Sequence, residues 1–214
     1  PILLLALFGA FCLWQQPALI TGKLTKAEID QYLATADKNL PFPPDIDKQD
    51  MLRRVRTWAE ADDGKPVYML NLMRYNAAID DVPGAPKDFQ GTPKEANLLY
   101  EDKAIGMILK KGGVGASYAS ETQGPNLITI GKAPALDNWS RVLVIRYSSR
   151  RHFLELVSDP AYVPIEPYKM MALRLLLVPT SGDLVVPDYR LVLGFSFIGL
   201  FLACGWWRAA RRAD

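Results

Sequence analysis

The chain has 214 residues, 50% of them hydrophobic and 22% charged, with 25 Lys and Arg against 23 Asp and Glu. So high an apolar share excludes a disordered polymer, and two cysteines with one histidine exclude a disulfide scaffold, a zinc finger and a c-type haem site. Charge is absent from residues 1–22 and 191–207 and balanced over 23–190, so the net +2 comes from Arg208, Arg211 and Arg212 against Asp214; without a clustered basic surface, no nucleic-acid partner is expected.

The first element is the apolar run 2–14, interrupted by Gln15, Gln16 and Pro17 before Ala18-Leu19-Ile20. A secretory h-region has a similar length, about 7–15 residues, but Gln16-Pro17-Ala18 lacks the small residues of a cleavage site. Phe11 before Cys12 does not suit a lipoprotein box. The segment 1–22 therefore reads as an uncleaved transmembrane helix, with Pro17 kinking or ending it near the far interface.

A helical lead-in, 23–65, follows. Thr25-Lys26-Ala27-Glu28 has the spacing of a capping box, after which Ile29, Leu33 and Ala36 recur on one face until Pro41-Phe42-Pro43-Pro44 stops the helix. A second helix, 48–61, carries Met51, Leu52, Val55 and Trp58 as its apolar stripe and Arg53, Arg54 and Arg56 as a solvated face.

Residues 66–180 change rhythm. The run 67–75 predicts a strand apolar on both faces, and so buried on both. A long loop, 76–92, precedes a helix over 93–111, opened by Pro93 and ended at Gly112-Gly113. Residues 114–131 read as extended chain with a turn at Gly124-Pro125, and 141–147 as a central strand. Ser148 and Ser149 cap a helix to about 157, which Asp159-Pro160 closes. A short irregular helical stretch, 160–171, leads to a last strand over 173–178. The order β-α-β-β-α-β is the ferredoxin-like α+β pattern.

A linker, 181–189, leads into a second transmembrane helix, 190–207, at the short end of the spanning range of about 17–25 residues. Tyr189 at one end and Trp206 and Trp207 at the other are amphipathic rings suited to the headgroup level, with Arg208 beside them. A basic tail, 208–214, is held in the cytoplasm by the positive-inside bias. Two spans return the N-terminus to the same side and leave the main domain in the periplasm, at a bacterial inner membrane. Cys12 and Cys204 then fall within the spans as small packing residues.

Three segments carry a family resemblance: Trp139 with the strand into Tyr147-Ser148-Ser149, then Phe153 to Ser158-Asp159-Pro160-Ala161-Tyr162, then Leu173 to Val178. Together they resemble the DUF1330 family of dimeric α/β-barrel proteins. The family's Trp before the third strand falls on Trp139, its aromatic-x-Ser turn on Tyr147 and Ser149, and its Ser-x-x-Tyr on Ser158 and, one residue late, Tyr162. Gly112-Gly113 matches its glycine pair. The resemblance spans 67–179 and departs at the long loop after the first strand, the lead-in helices and both spans. It implies a fold and a pairing of two sheets, and no agreed reaction.

Chemistry-bearing residues are sparse. No metal set and no cofactor are called for, since His152 is the single histidine and both thiols are assigned to the membrane. His152, beside Arg150 and Arg151, reads as a surface or capping residue ahead of an acid/base. The doublets Asp62-Asp63, Asp80-Asp81 and Glu101-Asp102 read as solvated, because paired catalytic carboxylates need a pocket that raises one pKa. No Gly-x-Ser-x-Gly turn presents a nucleophile. Gly112-Gly113-Val114-Gly115 follows a helix and so reads as a C-terminal cap ahead of a phosphate loop. Asn71, Arg74 and Arg146, with His152, remain as a candidate cleft on the sheet face for a small apolar ligand; hydrogen bonds to loops or to a partner subunit are the stronger alternative.

Two functions follow. One is a non-catalytic membrane-anchored accessory subunit, meeting the bilayer and other membrane proteins through its spans and one sheet face, with an identical copy as a further partner. The alternative is a membrane-tethered, cofactor-independent enzyme or small apolar ligand binder of the dimeric barrel type.

Overall fold

Four strands, β1 (Val67–Tyr75), β2 (Gly115–Glu121), β3 (Arg141–Tyr147) and β4 (Leu173–Thr180), form one antiparallel sheet in the order β2-β3-β1-β4. The computed structural model describes residues 2–43, 46–111, 113–125, 128, 138–182 and 189–213. The chain divides into two units, Pro1–Ser181 and Gly182–Asp214; the class is α+β.

Register decides which side chains share a face. Met69 stands opposite Ile145 and Pro179, and Asn71 opposite Leu143 and Leu177. The two-residue period of a strand therefore gathers Val67, Met69, Asn71, Met73, Leu143, Ile145 and Tyr147 on one buried face. Tyr68, Leu70, Leu72, Val142 and Val144 form the other face and are only half-buried, and Leu176 and Val178 beyond them are exposed. The expectation that β1 is buried on both sides is corrected accordingly: it is apolar on both, but the helices cover one. Pro179, which has no amide hydrogen to donate to a ladder, sits in β4 at the sheet edge.

The covering helices are α5 (Pro93–Lys110), α6 (Arg150–Ser158) and α7 (Glu166–Met170), which follow α1 (Ile2–Gln15), α2 (Ala18–Thr21), α3 (Lys26–Asn39) and α4 (Lys48–Glu60). A capping box opens α5: the Thr92 hydroxyl accepts from the Glu95 amide at 3.3 Å, and the Glu95 carboxylate accepts from the Thr92 amide at 2.7 Å. Its buried stripe is Ala96, Asn97, Tyr100, Glu101, Ala104 and Ile108, the spacing of one helical face. After α5, Gly113 donates to Ile108 at 3.1 Å, and a Cβ there would lie 2.3 Å from Ile108 Cγ2; only glycine fits. Gly112 and the expected extended chain after Pro125, except Ile128, lie outside the described residues.

The lead-in helices form as expected, with Thr25 and Glu28 in a reciprocal capping box and Ile29, Leu33 and Ala36 buried. They pack mainly against α6: Ile29, Leu33, Ala59 and Leu154 make a second core cluster beside the main one. Trp58 meets Phe153 edge-on at 5.4 Å between ring centroids. Arg53 and Arg54 pair with Asp50, and Arg56 with Asp30, on the outside of α4.

The N-terminal transmembrane helix expected over 1–22 is corrected. The apolar helix α1 ends at Gln15 after 14 residues, and Pro17 separates it from the four-residue α2. At 1.5 Å per residue α1 is about 21 Å long, short of a hydrocarbon core of about 30 Å. Among the described residues one helix is long and apolar enough to cross a membrane, the stretch Arg190–Arg212, with a mean hydropathy of 1.6 and none of its most apolar window buried. It lies within α8 (Tyr189–Ala213). The arginines expected as a separate tail are its last turns, and Arg211 lies 4.7 Å from the ring centroid of Trp207. Trp206 and Trp207 are exposed, as is Arg208; the side chain of Tyr189 lies outside the described residues.

Candidate ligand-binding cavity

The first unit contains a cavity of about 740 Å³ between the buried face of the sheet, helices α5, α6 and α7, and the lead-in helices. That volume lies within the range of about 300–1,000 Å³ of small-molecule sites. Its walls are mostly apolar: Met69 and Leu143 from the sheet, Ala104 and Ile105 from α5, Leu40 and Trp58 from the lead-in. The roof is thus chain that precedes the β-α-β-β-α-β order, while floor and sides belong to it.

A polar cluster interrupts the apolar lining. Asn71, in the middle of β1, donates from Nδ2 to the carbonyls of Met69 and Leu143 at 3.0 and 3.3 Å. Those bonds turn its Oδ1 to Lys169, whose Nζ donates to it at 3.1 Å and stands 4.9 Å from the ring centroid of Tyr100. The Tyr100 and Tyr162 hydroxyls meet at 3.0 Å. Glu166 is 1% exposed, lines the same cavity, and neither of its carboxylate oxygens has a hydrogen-bond partner. Asn97 Oδ1 and the Tyr75 hydroxyl are the other orphaned buried atoms among the described side chains, and neither residue lines the cavity.

Burial tunes these groups. It raises the Glu166 carboxyl to about 7, against the pull of the Lys169 charge. Burial likewise lowers Lys169 to about 8, opposed by the carboxylates of Glu101 and Glu166. The Tyr100 hydroxyl is held well above the ordinary phenol range, and Tyr162 above it too, chiefly by desolvation. Removing a charged group from water disfavours its charged form, so acid and base are both drawn toward neutrality. The cavity thus offers apolar walls with one polar place in them.

The four residues read from the sequence as a cleft are not brought together. Asn71 lines the cavity. Arg74 and Arg146 alternate onto the opposite face, where Arg146 donates to Gln15 Oε1 at 3.1 Å and to the Gln15 carbonyl at 3.3 Å. His152 lies at the start of α6, hydrogen-bonded to Ser148 and lowered by burial below its ordinary pKa; it does not line the cavity. Two of the doublets read as solvated are corrected in part. Glu101 is buried, accepting from Arg141 at 3.0 and 2.7 Å and from Asn97 at 2.7 Å, while Asp62 is buried and accepts from Leu24 at 2.8 Å and Gly64 at 3.1 Å.

Tyr100, Glu166 and Lys169 were not singled out by the sequence, and Tyr162 entered only as a motif position of the family resemblance. One signal was there: Glu166 lies between Ile165 and Pro167, with Lys169 three residues after it, the spacing of one helical face. Among the described residues no group of His, Cys, Asp and Glu is arranged to hold a metal.

No family model and no curated protein matches the chain. Its fold is shared with two crystal structures of the RPA0582 protein, one of the methylated protein and one from Rhodopseudomonas palustris described as of unknown function. Each is 22% identical at a TM-score of 0.50; the matches cover 62% and 70% of this chain and 90% and 100% of the other. That likeness concerns fold alone.

Proposed function

We propose that this protein is a membrane-tethered binder of a small, largely apolar molecule, held by a ferredoxin-like domain of the DUF1330, dimeric α/β-barrel type. The observation that carries the reading is the cavity of about 740 Å³ with a polar cluster at one place in its wall. The strand order β2-β3-β1-β4, with α5 and α6 as crossovers, supports the ferredoxin-like type. Tethering rests on α8, whose arginine-rich end favours the cytoplasm; the domain then lies on the other side, the periplasm of a bacterial inner membrane. An apolar ligand and a bilayer anchor are mutually consistent, because such a molecule partitions into lipid.

The test is saturable binding of pentylbenzene to the full chain in phosphatidylcholine nanodiscs, measured against empty nanodiscs. Ile105→Trp and Leu40→Trp each push an indole into the cavity from opposite sides and should weaken binding, the double variant most. Binding that neither substitution alters would sink the reading.

A second reading, an accessory subunit of a larger membrane complex, is favoured by the outer sheet face. Tyr68, Leu70, Leu72, Val142 and Val144 leave it apolar and only half-buried, the kind of patch that marks an interface, with a membrane protein or an identical copy as the partner.

A further inference from the structure

The hydrogen-bond inventory of the cavity is incomplete in a specific way. Lys169 has three N–H donors, and one hydrogen bond, to Asn71, is made. Tyr100 and Tyr162 carry two hydroxyl protons; their mutual bond takes one, and among the described residues the other meets no acceptor. Glu166 offers two oxygens and, among the described residues, receives nothing. Donors and acceptors are therefore both left over, on groups that line the same space. Glu166 and Lys169 stand three apart on α7, hence on one face of a single turn. Buried polar atoms in folded proteins are paired almost without exception, and an orphan is costly. An orphan facing a cavity marks where a ligand group belongs.

The leftover groups also say what that group is. An ammonium would satisfy Glu166 and meet the like charge of Lys169. A carboxylate would satisfy Lys169 and meet Glu166. A ketone or ether accepts from Lys169 or a tyrosine but gives nothing to an ionised Glu166. A hydroxyl does both: it has one proton to donate and lone pairs to accept with. Resting on the reading of the cavity as a ligand site, we infer that the ligand is an apolar molecule ended by a hydroxyl, a phenol or an aliphatic alcohol, which donates to Glu166 and accepts from Lys169 or the tyrosine pair. Its apolar body lies along Met69, Leu143 and Ile105 toward the roof at Leu40 and Trp58.

Three probes of nearly equal shape separate this from general hydrophobic binding: 4-pentylphenol, its methyl ether 4-pentylanisole, and pentylbenzene. Each is equilibrated at pH 8 with the full chain in phosphatidylcholine nanodiscs, against empty nanodiscs to subtract partitioning. The phenol should bind at least tenfold more tightly than the other two. In Glu166→Met the three affinities should converge to within about threefold while pentylbenzene still binds. Lys169→Met should narrow the gap between phenol and pentylbenzene as well. Equal binding of all three by the unsubstituted protein overturns the hydroxyl inference and leaves the cavity reading standing. Binding of none overturns the cavity reading, and this inference with it. A phenol preference that survives Glu166→Met overturns the role of Glu166. Should that variant fail to fold, the probe series on the unsubstituted chain decides alone.

Discussion

Lys169 holds its ammonium 4.9 Å from the centroid of the Tyr100 ring while donating to Asn71 at 3.1 Å. A cation over an aromatic face keeps part of its solvation, yet burial still lowers Lys169 to about 8. Its folded pKa is therefore below its unfolded value near 10.5. The resulting penalty is fully present below pH 8 and is relieved as pH rises from about 8 to 10.5. Urea unfolding across that window should show the unsubstituted protein gaining stability relative to Lys169→Met, by an amount on the order of 3 kcal/mol.

Glu166 gives the opposite slope at lower pH. Its folded pKa of about 7 lies above the ordinary glutamate value of 4.5, so the folded state holds its proton longer than the unfolded state does. Stability contributed by the neutral acid is present below about pH 4.5 and falls as pH rises to 7. Glu166→Gln keeps the shape and cannot ionise. Relative to it, the unsubstituted protein should lose stability between pH 4.5 and 7, on the order of 3 kcal/mol, measured by thermal midpoints at constant ionic strength.

Glu101 and Arg141 tie α5 to β3 through two hydrogen bonds, with side chains only 7% and 14% exposed. Glu101→Ala strands the guanidinium in a dry setting and should cost about 3–5 kcal/mol. The double change to Met at both positions should cost clearly less, because no buried charge is left behind. Chemical denaturation of the three variants decides it.

The orientation proposed from α8 has a direct test. With Cys12 and Cys204 replaced by alanine, a thiol placed at the exposed Gln90 should react with an impermeant maleimide added to intact cells. A thiol at Ala213 should not. Reaction at Ala213 overturns the orientation.

The two faces of β1 separate folding from association. Met69 is buried in the main core, whereas Leu70 points to the half-exposed face. Met69→Lys should unfold the domain. Leu70→Lys should leave it folded, with native circular dichroism, and abolish any contact made through the outer face. If sedimentation and co-purification are unchanged in Leu70→Lys, that face is no interface.

How far the residues themselves disclosed this structure depends on whether the signal was local. Thr25 with Glu28 marked a helix start because both partners of a capping box sit within one turn. The alternation in β1 was equally legible, and its period of two already separates Asn71 from Arg74. Grouping those two with Arg146 ignored it, since Arg146 pairs with Tyr68. The end of α1 was legible in Gln15, Gln16 and Pro17. Glu101 read as solvated because nothing local discloses that Arg141, 40 residues on, closes over it. Glu166 and Lys169 lay hidden for the same reason: their meaning depends on a cavity built by α3, α4, α5 and the sheet together.

The division of the core into two clusters bears on which part of the domain opens first. The α3–α4 hairpin and α6 share a small apolar set, Ile29, Leu33, Ala59 and Leu154, while Leu40 and Trp58 pack against the larger cluster that fastens α5 and α7 to the sheet. Structure resting on fewer buried contacts opens at lower free energy than the whole domain unfolds. The α3–α4 hairpin, held to α6 by that set and by Arg150, Arg151 and Ser158, should then open before the sheet loses its register, and amide hydrogen exchange should be faster in α3 and α4 than in β1 and β3.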